Sequence, residues 1–218
     1  FQFFSEGIAI SELHVASLSV ESTAPSEEPS TMPTSLASPF KVGIADARLD
    51  KVTLVSPGGN TVFEKIHFTL SGDKTQWQLE DASALTPFGQ ATASATIAAT
   101  QPFKLSGKAG LTQITPPAGE KPAALSLQLG GDLNVLNVTA KGSAGAATAD
   151  AQLALAPFDP VMILRSASIK GRNINPGKFD ATLPQADLSL ELDAAIDTRP
   201  TAQTVSGKLA IVNHATPG

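Results

Sequence analysis

The stretch QADLSLELDAAIDT, residues 185–198, alternates apolar and polar side chains without a slip. Leu188, Leu190, Leu192, Ala194 and Ile196 take every second position, with Ser189, Glu191, Asp193, Ala195 and Asp197 between them. Successive side chains of a strand point to opposite faces, so a period of two predicts a sheet with one dry face and one wet face.

The same period returns along the chain. ISELHVASLSV (10–20) shows it with a slip between Val15 and Leu18, and FKVGIADARLDKVTLV (40–55) resumes it. VFEKIHFTL (62–70) alternates through Ile66, Phe68 and Leu70, and ALSLQLGG (124–131) through Leu125, Leu127 and Leu129. TVSGKLAIVN (204–213) places Val205, Leu209 and Ile211 on one face. In GQATASATIAAT (89–100) the alternate residue is alanine, a poor strand former that makes a thin face and allows a neighbour to approach closely. Gly and Pro, 17 and 16 in number, punctuate these runs, and SPGGN (56–60) reads as a turn. The pattern predicts an all-β chain of about ten to thirteen strands. One or two short helical turns are expected where Asp159-Pro160 precedes VMILRSA and where Asn175-Pro176 precedes GKFDA, each an N-cap residue followed by proline.

Residues 23–39, rich in Pro, Ser, Thr and Glu, lack the apolar content to offset their ordering entropy and are expected to form a mobile loop. FTLSG at 68–72 recurs as FKLSG at 103–107, which suggests serially stacked sheet units. The chain opens and closes within patterned sequence, so residues 1–218 are expected to be one segment of a longer protein.

Composition removes several classes of function. The net charge of −5 leaves no basic stripe for nucleic acid. The absence of cysteine removes disulfides, thiolate metal sites and cysteine catalysis. No apolar run approaches the length of a transmembrane helix. His14, His67 and His214 are far apart and carry no ligand spacing, so no metal site is expected. No Gly-x-Ser-x-Gly, phosphate-binding loop or dinucleotide fingerprint occurs, and no acid–base pair of a glycosidase stands out. Neither an enzyme nor a bound cofactor is expected. What remains is the apolar alternation itself. It builds either the closed core of a sandwich or solenoid, as in a surface adhesin, or an open curled sheet with an apolar groove.

A resemblance favours the groove. The elements GRNINP (171–176), Leu183-Pro184, the alternating strand 188–196 and GKLAIVNHATPG (207–218) resemble a recurring passage of the TamB family, the inner-membrane subunit of the translocation and assembly module. The restart PFKV (39–42) and QPFKLSG (101–107) fit the same pattern, which is shared by AsmA-like relatives. The resemblance implies an elongated, curled, antiparallel-rich sheet in the periplasm, part of a protein anchored in the inner membrane. It implies phospholipid acyl chains as cargo and support for outer-membrane biogenesis and autotransporter assembly. The TamA barrel would then be a partner through regions outside these residues. On this basis the groove is expected to be lined by Ile66, Phe68, Leu70, Leu125, Leu127, Leu129, Leu188, Leu190, Leu192, Ile196, Leu209 and Ile211.

Overall fold

The computed structural model describes residues 7–21, 31–56, 58–116, 119, 121–159, 161–178, 182–199 and 202–215, with the backbone alone at 198, 199, 202 and 203. Fourteen strands make one sheet: β1 (Gly7–Ile10), β2 (Leu13–Val15), β3 (Leu18–Glu21), β4 (Lys41–Ser56), β5 (Gly59–Gly72), β6 (Gln76–Thr86) and β7 (Gly89–Ala98), then β8 (Leu105–Thr112), β9 (Ala124–Gly131), β10 (Leu136–Ala144), β11 (Ala147–Leu155), β12 (Leu164–Ile174), β13 (Leu188–Arg199) and β14 (Ala202–Asn213). From β4 to β14 each strand pairs antiparallel with the next, an open and curled meander. The all-β expectation holds, with a strand count slightly above the predicted range.

The extra strands come from the N-terminal segment. β1, β2 and β3 all lie parallel to β4 in a single register, since 41 − 7 = 47 − 13 = 52 − 18 = 34. They form one edge lane interrupted twice, the second time at the slip after Val15. The meander alternates its turns between two ends. The near end carries the turns after β5, β7, β9 and β11, and the far end those after β4, β6, β8, β10 and β12.

The sheet is a single layer. Among the described residues, every substantial contact between strands is with a hydrogen-bonded neighbour, so the described sheet neither closes on itself nor folds onto a second sheet. The accessible surface is 14708 Å², against roughly 9400 Å² for a globular monomer of this mass. Among the described residues, the fully buried apolar ones reduce to Ala47, Ala99 and Phe103. The closed core of a sandwich or solenoid, the other architecture compatible with the alternation, is not formed by these residues.

Of the register shifts in the ladder, three show how the faces are kept in phase. Ile44 and Ala47 are three apart but pair with Leu70 and Phe68, which are two apart. Leu79 and Ala82 pair likewise with Ala95 and Ala93, and Gly171 and Ile174 with Leu190 and Leu188. Each bulge absorbs the one residue that would otherwise turn the apolar set over. Asp81 and Asn173 take the left-handed backbone in two of them, at φ 49° and 53°, a conformation that Asp and Asn tolerate better than most side chains.

Two local expectations meet different outcomes. Asn175-Pro176 does open a single 3-10 turn, Pro176–Lys178. Asp159 does not open a helix: its Oδ1 accepts the backbone N–H groups of Val161 and Met162, both at 2.9 Å, and the chain turns straight into β12. Ala156 N–H donates to Ile163 O at 2.7 Å and closes that turn. The Asx geometry there competes with a helical cap, and hairpin closure decides between them. The FTLSG echo is not a structural repeat either. Phe68 lies within β5 and pairs with Ala47, whereas Phe103 precedes β8 in a turn.

Of the expected loop 23–39, residues 23–30 lie outside the described residues. Residues 31–39 form an irregular strap pinned across the near end. Trp77 Nε1 donates to Leu36 O at 2.7 Å, Leu36 N–H to Ala99 O at 2.9 Å, and Gln101 Nε2 to Pro33 O at 3.0 Å. The Trp77 ring lies over Gly72, where an added Cβ would come within 2.2 Å of it. Phe103 is fully buried beside this strap, its N–H bonded to Thr100 O at 2.8 Å.

Phe103→Ala is expected to destabilise the protein by about 3–5 kcal/mol, read as a fall in the urea midpoint. An unchanged midpoint would show that Phe103 is not the anchor of the near end. The near-end turns also carry an acid sensitivity. The Thr75 hydroxyl and the backbone N–H groups of Thr75 and Gln76 hold the Asp73 carboxyl below its ordinary range. The N–H groups of Met162 and Val161, with Arg165, do the same for Asp159. A lowered folded-state pKa contributes stability above the ordinary carboxylate range and loses it as pH falls through the lowered value. Melting temperature should therefore decline from about pH 5 to 2, and less steeply in Asp73→Asn. An identical slope in that variant would contradict the assignment.

Candidate functional site

Partners across an antiparallel ladder share a face, so register alone assigns sides. One row runs Leu13, Ala47, Phe68, then Ala82, Ala93, Ala109, Leu127, Ala140, Ala151, Ile169, Leu192 and Leu209. The next runs Val15, Leu49, Ile66, then Ala84, Ala91, Leu111, Leu125, Gly142, Ala149, Gly171, Leu190 and Ile211. Leu70, Leu129, Leu188 and Ile196 belong to neighbouring rows of the same face. All twelve residues singled out in the sequence therefore lie on one side of one sheet.

They are not spread evenly over it. Ile66, Phe68 and Leu70 stand on β5, Leu125, Leu127 and Leu129 on β9, and Leu188, Leu190, Leu192 and Ile196 on β13. In the two rows above, bulky side chains thus gather in ridges at every fourth strand, about 19 Å apart at the usual strand spacing, with Leu111 and Ile169 the exceptions between β5 and β13. Leu209 and Ile211 extend the last ridge onto the edge strand β14, where each is 61% exposed. Between the ridges lie two troughs. The first, over β6–β8, is floored mainly by Ala82, Ala84, Ala91, Ala93 and Ala109. The second, over the far halves of β10–β12, is floored by Ala140, Gly142, Ala149, Ala151 and Gly171, with Ala144 and Ala147 at its far end, while Ile169, Val138 and Leu153 raise the same face toward the near end.

The floor residues are what a search for bulky apolar side chains passes over. Their signal is the alternating alanine, a thin face open to a neighbour, and among the described residues no other element covers it. The strap and Trp77 cover the near end of the first trough alone. The far ends of both open into cavities. One of about 690 Å3 is lined by Phe88, Ile114, Leu111 and Leu125, among others, with Phe88 73% exposed. The other, of about 540 Å3, is lined by Ala144, Ala147, Asn173, Lys121, Lys178 and Asp187, among others.

The opposite face is wet. Register places Lys141, Asp150, Lys170 and Glu191 in one row of alternating charge, and Lys170 Nζ lies 2.9 Å from Glu191. That carboxylate raises the Lys170 pKa. Two hollows on this side, of about 680 and 390 Å3, are walled by residues such as Thr139, Gln152, Ser168, Thr96 and Gln128. His14 pairs with Asp50 at 3.0 Å, His67 with Asp46 at 3.2 Å, and His214 Nε2 lies 2.9 Å from Ser189 Oγ. Among the described residues no three His, Asp or Glu side chains gather with metal-site geometry. No helix of the described residues is long and apolar enough to cross a membrane.

Comparison with protein-family models, curated proteins and solved structures finds no match for this chain.

Leu at both Ala140 and Ala151 should fill the second trough and lower binding of a fluorescent apolar probe while the far-ultraviolet circular dichroism stays unchanged. Unaltered probe binding would contradict an open trough.

Proposed function

We propose that the apolar face binds lipid acyl chains, the chains lying in the two troughs and the headgroups remaining in water. The observation that carries this reading is the uncovered, register-continuous apolar face with its ridges and thin floors. Exposed apolar patches of more than several hundred Å² are rare without a function. Each methylene moved from water to such a surface contributes about 0.8 kcal/mol. A nine-residue strand spans about 30 Å, longer than an acyl chain occupying half of a bilayer core of about 30 Å. The apolar face thus has the length for chains laid along the strands.

Such a surface is passive. It offers no catalytic group, and lipid would move along it down a gradient set elsewhere. With the TamB resemblance, the reading becomes a periplasmic stretch of a bridge between inner and outer membranes that supports outer-membrane biogenesis and autotransporter assembly, with TamA engaged outside these residues. The open single layer supports this over an adhesin module with a closed core.

Leu190 sits on the β13 ridge between Gly171 and Ile211. A carboxylate placed there would be unpaired against acyl chains. Leu190→Asp is expected to reduce co-purified phospholipid at least tenfold, about 1.4 kcal/mol, by native mass spectrometry with lipid extraction. Undiminished lipid in a folded variant would refute the acyl-chain reading.

A further inference from the structure

We infer that Trp77 is a stop that makes the first trough a blind acyl-chain site, entered methyl end first from the far end. The inference rests on the acyl-chain reading of the apolar face and adds an orientation to it. The floor of this trough stays thin along most of its length. After Ala84 and Ala91 come Ala82, Ala93 and Ala109, then Ala95 paired with Gly107. The next row of the same face is Trp77, Ile97 and Leu105, so a large side chain ends the run of small ones on each of β6, β7 and β8. From Gly89 to Ala95 strand β7 rises about 20 Å, more than half of a bilayer core of about 30 Å.

The stop is fixed in place. Trp77 has one polar side-chain atom, Nε1, and it donates to Leu36 O at 2.7 Å. Leu36 N–H donates to Ala99 O at 2.9 Å and Ser38 N–H to Asp73 O at 3.2 Å, which ties the strap to the turns after β7 and β5. With Nε1 satisfied, the ring offers only carbon to a chain end. A methyl terminus needs no polar partner there, whereas a headgroup pressed against the ring would lose its water without replacement. The far end differs, because it opens into the cavity of about 690 Å3, where Thr86, Gln113 and Thr115 stand among the apolar lining. The headgroup is therefore left in water at the far end, and the chain points toward Trp77.

The test reads the emission of Trp77, the one tryptophan of the chain. The full 218-residue chain is loaded with phosphatidylcholine brominated either near the carboxyl end or near the methyl end of its acyl chains. Unbound lipid is removed by gel filtration, and bound lipid is confirmed by native mass spectrometry. Methyl-end bromine should cause the larger loss of Trp77 emission. Ala93→Leu, which raises the middle of the floor, should abolish that loss, and Ala91→Leu repeats the test if the first variant disturbs folding. Lys108→Glu, on the wet face between Ser94 and Gln128, should leave the loss unchanged. Equal quenching by the two lipids, or stronger quenching from the carboxyl end, would overturn the blind site while leaving the acyl-chain surface intact. Bound lipid that quenches from neither position, or methyl-end quenching that survives in a folded Ala93→Leu, would do the same. Failure of the wild type to bind either lipid would instead refute the acyl-chain reading and this inference with it.

Discussion

The structure depends on a backbone ladder whose register keeps the apolar rows on one side. A slip of one residue anywhere would move the rest of a strand's apolar set to the wet face. No second layer compensates for such an error, because each strand is held only by its two neighbours. The bulges at Ile44/Ala47, Leu79/Ala82 and Gly171/Ile174 are therefore corrections of phase, placed where the apolar spacing lengthens from two to three. Asp81 and Asn173 supply the unusual backbone that two of these corrections need.

Much of this was legible beforehand. Alternation is a local property, and residues 188–196, 62–70 and 124–131 alternate strongly enough to fix the strand and its face together. Other features depend on partners that local sequence does not name. The parallel lane β1–β3 is set by where the chain returns after residue 21, and the strap by what Leu36 and Trp77 meet across 41 residues of sequence. At Asp159 two outcomes shared one signal, since Asp-Pro serves a helix cap and an Asx turn equally, and the facing strand selected the turn. The ridge period of four strands was hidden for a different reason. It becomes visible only when strands of unequal length are laid side by side in register.

A single layer with half its surface apolar is an uneconomical way to build a stable domain. The exposed area exceeds that of a globular monomer by about half, with Val205, Leu209 and Ile211 more than half exposed on the last strand. An open sheet this broad makes sense as a surface to be occupied. On the proposed reading, the alternation of ridge and thin floor is where an acyl chain would lie.

The most direct test places a photo-reactive benzoylphenylalanine at Leu127 or at Gln128, adjacent residues of β9 on opposite faces. After irradiation with phospholipid vesicles, covalent lipid adducts should form from position 127 and not from position 128. Equal labelling of both positions, or adducts from position 128 alone, would contradict an acyl-chain surface on the apolar face.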